Sequence, residues 1–224
     1  MLRKDKFVNG EYYHIYNRGI DKRIIFQDKQ DKERFLMLLY IANSQDSIKI
    51  DNLTHNLGKS YKEIMNLKKE KQLVSVLCWC LMPNHFHLLL KQDTEDGITK
   101  FMRKLGVGYS MYFNNKYKRQ GSLFGGPFKS KLIENDNYFR KLFSYIHLNP
   151  LDIKFPKWEE EINSKNKFSE KEYFLESYKY SSYQDYTDNY RLETGILSKD
   201  ISKFYFDKKY SFKDFIKQYL EPIS

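Results

Sequence analysis

His85-Phe86-His87 is the first place in the sequence where residue type and spacing could do chemistry. Strand side chains alternate faces, so the two imidazoles point one way and Phe86 the other. Two same-face imidazoles two residues apart can both reach one metal ion. A His-x-His pair also occurs as plain structure, and residue type leaves both readings open. Tyr145 and Asn149 are the second such place. They lie four residues apart, on one face of a helix and one turn from each other. A phenol can act as a nucleophile and an amide oxygen as a metal ligand, yet Asn before Pro150 is equally an ordinary helix stop. Taken together, two imidazole nitrogens and one amide oxygen leave positions open for water and phosphate oxygens. That donor set suits Mg²⁺ or Mn²⁺ better than a closed structural zinc.

Both places need elements to hold them. LVSVLCWCLMPNHFHLLL (73–90) has apolar runs on either side of Pro83-Asn84. Pro cannot join a sheet ladder, and Pro-Asn suits a tight turn, so the spacing predicts two antiparallel strands over about 73–82 and 85–91. The run approaches the length of a membrane-spanning helix, but Pro83, Asn84 and two histidines in its second half argue against one. Cys80 would then lie across from His87, which raises a Cys/His zinc site. Cys78-x-Cys80 is not the spacing of structural zinc sites, and strand cysteines usually pack as small apolar residues.

Upstream, Tyr12–Gly19 alternates as a first strand, and residues 1–11 read as loose. Asp28 or Asp31 can cap a helix running to about Ala42. Residues 43–72 form a Lys-rich insertion with a short helix over about 59–70. Downstream, a helix is expected over about 98–117, then a strand over 122–133 interrupted at Gly125-Gly126-Pro127. Asn135-Asp136-Asn137 caps a helix from Tyr138 to about Leu148. The order β-α-(insertion)-β-β-α-β-α predicts an α+β fold of the ferredoxin-like kind, an antiparallel sheet with helices packed on it. We divide the chain into a domain over 1–151 and a mainly helical C-terminal extension over 152–224, with a short amphipathic helix at 211–220.

Net charge of +10 and a pI near 9.3 favour a polyanionic partner, nucleic acid by default. The 19 Tyr and 17 Phe can fill a core and also stack bases. The two cysteines share one strand and offer no disulfide framework, and the N-terminus has no apolar signal core. A cytoplasmic protein with no membrane contact is expected.

Four stretches, in order, resemble the single-tyrosine transposases of the His-hydrophobic-His superfamily, and most of all the REP-associated tyrosine transposases. They are YYHIYNRGIDKRIIFQDKQDKERFLMLL (12–39), CLMPNHFHLLL (80–90), FMRKLGVGYSMYFNNKYKRQGSLFGGPFKS (101–130) and YFRKLFSYIHLNPL (138–151). The resemblance implies a ferredoxin-like catalytic domain in which His85, His87 and Asn149 hold Mg²⁺ or Mn²⁺ and Tyr145 is the nucleophile. His147 falls off that helix face and reads as structural. The implied activity is cleavage of single-stranded DNA near a hairpin through a 5′-phosphotyrosine, with a released 3′-hydroxyl that later rejoins strands. It implies no nucleotide cofactor, and a monomer or homodimer. Arg18, Lys116, Lys118, Arg119, Lys129 and Lys131 are candidates to hold the DNA backbone, each equally readable as solvated surface. The chain departs from the pattern at Gly125 and Pro127, where relatives usually carry Gln and Arg. The competing reading is a non-catalytic nucleic-acid hairpin-binding protein on the same scaffold. A His-x-His hydrolase fits poorly, because Leu88-Leu89-Leu90 follows where further ligands belong.

Overall fold

Alternation through the central run builds the hairpin on which the fold rests. The computed structural model describes residues 6–46, 50–68, 71–160, 168–187, 190–202 and 211–220. In it β2 (Val74–Met82) and β3 (His85–Gln92) pair antiparallel about the Pro83-Asn84 turn. β1 (Tyr12–Arg18) flanks β3, and β4 (Lys129–Leu132) flanks β1, giving the antiparallel order β2-β3-β1-β4. With α1 (Lys29–Ile41) between β1 and β2, and α3 (Gly97–Lys116) between β3 and β4, this is the expected ferredoxin-like α+β arrangement. α2 (Tyr61–Met65) lies in the insertion ahead of β2.

Each face of the sheet packs against a core, β4 alone staying exposed. Tyr13, Ile15, Trp79, Phe86 and Leu88 pack with Phe35 of α1 and with Phe101 and Tyr109 of α3. On the opposite face, Leu77, Cys78, Cys80 and Leu89 pack under α4 (Asp136–Leu148) through Phe139, Phe143 and Ile146. A bulge in β2 serves both cores. Val76 pairs with Leu90 and Cys78 with Leu89, so Leu77 is the extra residue. Val76 therefore joins the first core while Leu77 and Cys78 both join the second. Burying Phe86, the residue between the two imidazoles, contributes about 1.5–3 kcal/mol and pins the strand's register.

Helix α1 starts on a reciprocal cap between Asp28 and Asp31. Lys116 at the end of α3 reaches both carboxylates at 2.7 Å, and Tyr117 donates to Asp31 at 2.8 Å. That cluster ties α3 to α1. Gly19 ends β1 where a side chain would run into the Arg23 carbonyl and Ile25.

After α4 come α5 (Leu151–Lys154), α6 (Phe168–Ser177), α7 (Lys199–Ser202) and α8 (Phe212–Leu220). Between α6 and α7 the chain pairs with the outer edge of β2. Leu81 N–H donates to Tyr180 O at 2.8 Å and Ser182 N–H to Trp79 O at 2.9 Å. Phe212 and Phe215 of α8 pack in the second core.

Three expectations need correction. The strand foreseen over 122–133 is only Lys129–Leu132, joined upstream by one isolated bridge between Gly19 and Phe124. Gly126 has a φ of 151° and Pro127 has no N–H to give, so the ladder stops between them. The helix foreseen over 59–70 shrinks to Tyr61–Met65, and residues 69–70 lie outside the described residues. Residues 1–5 also lie outside, but 7–11 are tied down. Phe7 packs edge-on against Tyr13, and Gly10 N–H bonds Gln92 O at 2.8 Å. No helix among the described residues is long and apolar enough to cross a membrane.

Candidate active site

The strand pleat and the helix repeat meet in one groove of about 610 Å³, whose walls include His85, His87, Tyr145 and Asn149. β3 turns both imidazoles toward α4, while Phe86 is locked into the opposite core. Helix α4 begins at the Asn135 cap, which accepts from Tyr138 N–H at 2.9 Å, and is seated by Phe139, Phe143 and Ile146. Its hydrogen bonding runs on through Asn149, whose N–H donates to Tyr145 O at 2.9 Å. Tyr145 and Asn149 thus stand one turn apart, with the Tyr145 ring edge-on to His87 at a centroid distance of 5.4 Å. Tyr145 is 43% exposed, whereas His87 is 6% and Asn149 3% exposed.

Each imidazole is held by a different neighbour. Asn84 in the turn donates from Nδ2 to Lys22 O at 3.1 Å, which leaves its Oδ1 facing His85 Nδ1 at 2.6 Å. An amide oxygen only accepts, so His85 carries its proton on Nδ1 and presents a lone pair at Nε2. His87 Nδ1 lies 2.8 Å from His14 Nε2, with the rings stacked at 5.1 Å. Its Nε2 is buried without a hydrogen-bond partner, and so is Asn149 Oδ1. Buried polar atoms almost always have a partner, whether protein, ordered water or a bound ion. Two that lack one, beside a third oriented lone pair, form an N, N, O donor set that fits a divalent cation of the Mg²⁺ or Mn²⁺ kind. No cluster of three or more His, Cys, Asp or Glu suited to a metal occurs among the described residues. Cys80 does pair across from His87, but it is a fully buried thiol whose pKa burial pushes up.

Electrostatics keep the imidazoles neutral. Burial, aided by the Arg18 charge, lowers His85 to about 4, with Asn149 opposing. Burial lowers His14 to about 4, with the Lys131 charge adding to it. His87 is driven well below its usual range by burial first, and then because a proton on it would be repelled by the His14 and His85 rings, were they protonated, and by Arg18. Neutral imidazoles are the ligating form. Burial raises the Tyr145 phenol above its ordinary value, Asn149 opposes this, and Asp152 adds to the rise. The residues of the chain hold it protonated.

Of the basic candidates, Arg18 and Lys129 line the same groove, and Lys131 lines its neighbour beyond Tyr145. Lys116, Lys118 and Arg119 are not brought there. Lys116 is ion-paired to Asp28 and Asp31, Lys118 sits in the turn after α3, and Arg119 donates to Asn114 at 3.1 Å. Gly125 and Pro127 do line the groove and contribute no polar side chain to it. Sequence reasoning passed over His14, Asn84 and Asp152. Period-two register from Tyr12 would have put His14 on the imidazole face; nothing local marks Asp152. His147 is structural, as expected. It is fully buried, donates from Nδ1 to Phe143 O at 2.9 Å and accepts at Nε2 from Ser182 Oγ at 2.8 Å.

Residues 7–149 match the model of the family described as "Transposase IS200 like". No curated protein is detectably similar in sequence. A solved structure described as a REP-associated tyrosine transposase bound to a REP hairpin superimposes with a TM-score of 0.51 at 10% identity, over 86% of this chain and 90% of that one. At that identity the likeness is one of fold.

Proposed function

The chain belongs to the IS200-like transposase family, and we propose that it nicks and rejoins single-stranded DNA beside a hairpin, with Tyr145 as nucleophile. The observation that carries the reading is the phenol of Tyr145 packed against His87 in the groove where His87 Nε2 and Asn149 Oδ1 lack protein partners. The solved neighbour is bound to a hairpin, and we take hairpin-bearing single-stranded DNA as the substrate class here.

His85, His87 and Asn149 would hold the cation, which as a Lewis acid neutralises and polarises a phosphodiester whose anionic oxygens repel a nucleophile. The remaining work belongs to the chain. Arg18 and Lys129 hold the backbone phosphates entering the groove. The α4 packing fixes the line along which the Tyr145 oxygen approaches phosphorus. The Tyr145 O–P bond forms as the P–O3′ bond breaks. The electron pair leaves on O3′, which takes a proton from solvent, and the phenol proton leaves through the open groove. The 5′ end stays on the protein as a phosphotyrosine ester. Because the ester conserves the bond, attack by a 3′-hydroxyl reverses the step without ATP, and a phenolate is a tolerable leaving group for it.

The test uses single strands of the DNA flanking the gene, any inverted repeat there included, as substrate and Mn²⁺ as metal. Wild type is expected to give nicked and rejoined strands that vanish with EDTA, and His87→Ala to lose at least a hundredfold in rate. Equal cleavage in EDTA would remove the metal from the reading.

A further inference from the structure

Tyr145 divides two grooves. Beyond it lies a second, of about 480 Å³, which shares Tyr16, His87 and Tyr145 with the first and adds Lys131, Tyr138 and Lys141. The sequence sets these groups on two elements. Tyr138, Lys141 and Tyr145 stand at i, i+3 and i+7 on α4, one stripe along the helix. Lys131 comes from β4, opposite His14 in the register.

The lining has a definite chemistry. No carboxylate lines this groove, and among the described residues Lys131 and Lys141 have no acidic partner. Tyr138 is half-buried, its body packed against the second core. The Lys131 Nζ sits over its ring at 4.5 Å from the centroid. One ammonium over an aromatic face, with a second lining the same groove, complements a ligand with an anionic end and a flat apolar end. A single-stranded nucleotide is such a ligand. The cation covers the ring in the free protein, and a phosphate would draw it off and bare that face to a base.

We propose that this second groove is a binding subsite for one unpaired nucleotide, its base stacked on Tyr138 and its phosphate between Lys131 and Lys141. The subsite rests on the nicking reading only in that the phosphate at Tyr145, next along the strand, is then the scissile one.

The test reads binding alone, with fluorescein-labelled oligo(dT) and an abasic oligomer of equal length as probes, followed by anisotropy over a salt series. Wild type is expected to prefer oligo(dT) on the order of tenfold, and Tyr138→Leu to lose most of that preference. Lys131→Gln with Lys141→Gln should leave the preference and flatten the slope of log K against log salt by about 1. Irradiation of a probe carrying 5-iodouracil should attach it to the peptide containing Tyr138. Thermal melts confirm folding; if Tyr138→Leu unfolds, the lysine pair and the crosslink decide. An unchanged slope with a crosslink mapped elsewhere overturns the subsite. Covalent capture by Tyr145, measured separately, can fail while this subsite stands, or succeed while it falls.

Discussion

Two side chains outside the N, N, O donor set fix the aim of the imidazoles. Asn84 fixes the His85 tautomer from the turn, and His14 holds His87 from the neighbouring strand. Removing such a support typically costs 10- to 100-fold in metal affinity. Asn84→Ala and His14→Phe are each expected to weaken Mn²⁺ binding on the order of tenfold or more, read by electron paramagnetic resonance of the free ion. Affinity equal to wild type in both would show that the rings need no such support. The phenol gives a pH prediction. Its proton is held above the ordinary tyrosine range while His85 titrates near 4. The fraction of phenolate therefore rises about tenfold per pH unit below the phenol's own pKa. Capture should climb with pH from 6 to 9 with no inflection near 6.5; a plateau above 7 would assign the slow step elsewhere. His85, His87, Tyr145 and Asn149 were legible because strand and helix periods fix which residues share a face. Asn84 was not, because its anchor is a loop carbonyl distant in sequence, and the register gives the face of His14 but not its partner across the sheet.

At the scale of elements, α4 is fixed to the sheet by both burial and a polar latch. His147 bridges Phe143 O and the Ser182 hydroxyl, and Ser182 also accepts from Trp79 N–H at 3.0 Å. Burial lowers His147 to about 3. The unfolded chain takes up this proton as pH falls below about 6.5, whereas the folded chain does not until about 3. The contribution is whole above 6.5 and is lost as pH falls through that window, by about 1.4 kcal/mol per unit. His147→Gln is expected to lose stability at pH 7.5 yet show a shallower fall between pH 6 and 4.5 in urea melts. Parallel curves for the two proteins would exclude His147 as the source of acid sensitivity. The hairpin and both long helices were readable from period and caps. The shortness of β4 was not, since it turns on the backbone of Gly126, which residue type leaves free.

At the scale of the whole molecule, the segment after α4 is part of the site's foundation. Residues 180–182 cover the β2 edge, and Tyr183, Phe212 and Phe215 fill the core beneath α4. An uncovered β edge and a bared apolar face invite association. A chain ending at residue 160 is therefore expected to aggregate or to melt well below the full chain, and to lose capture. A soluble, fully active fragment would make the extension an independent appendage. Composition favours a polyanionic partner and the amphipathic pattern over 211–220 marks a helix, but nothing in residues 178–186 says which strand edge they cover. The proposed chemistry stands on the Tyr145 hydroxyl attacking phosphorus beside the His85 and His87 imidazoles. Its most direct test is mass spectrometry of the protein incubated with Mn²⁺ and flanking single-stranded DNA carrying the hairpin. A DNA adduct is expected on the Tyr145 peptide, abolished in Tyr145→Phe while DNA binding persists. An adduct on another residue, or capture undiminished in Tyr145→Phe, would contradict it.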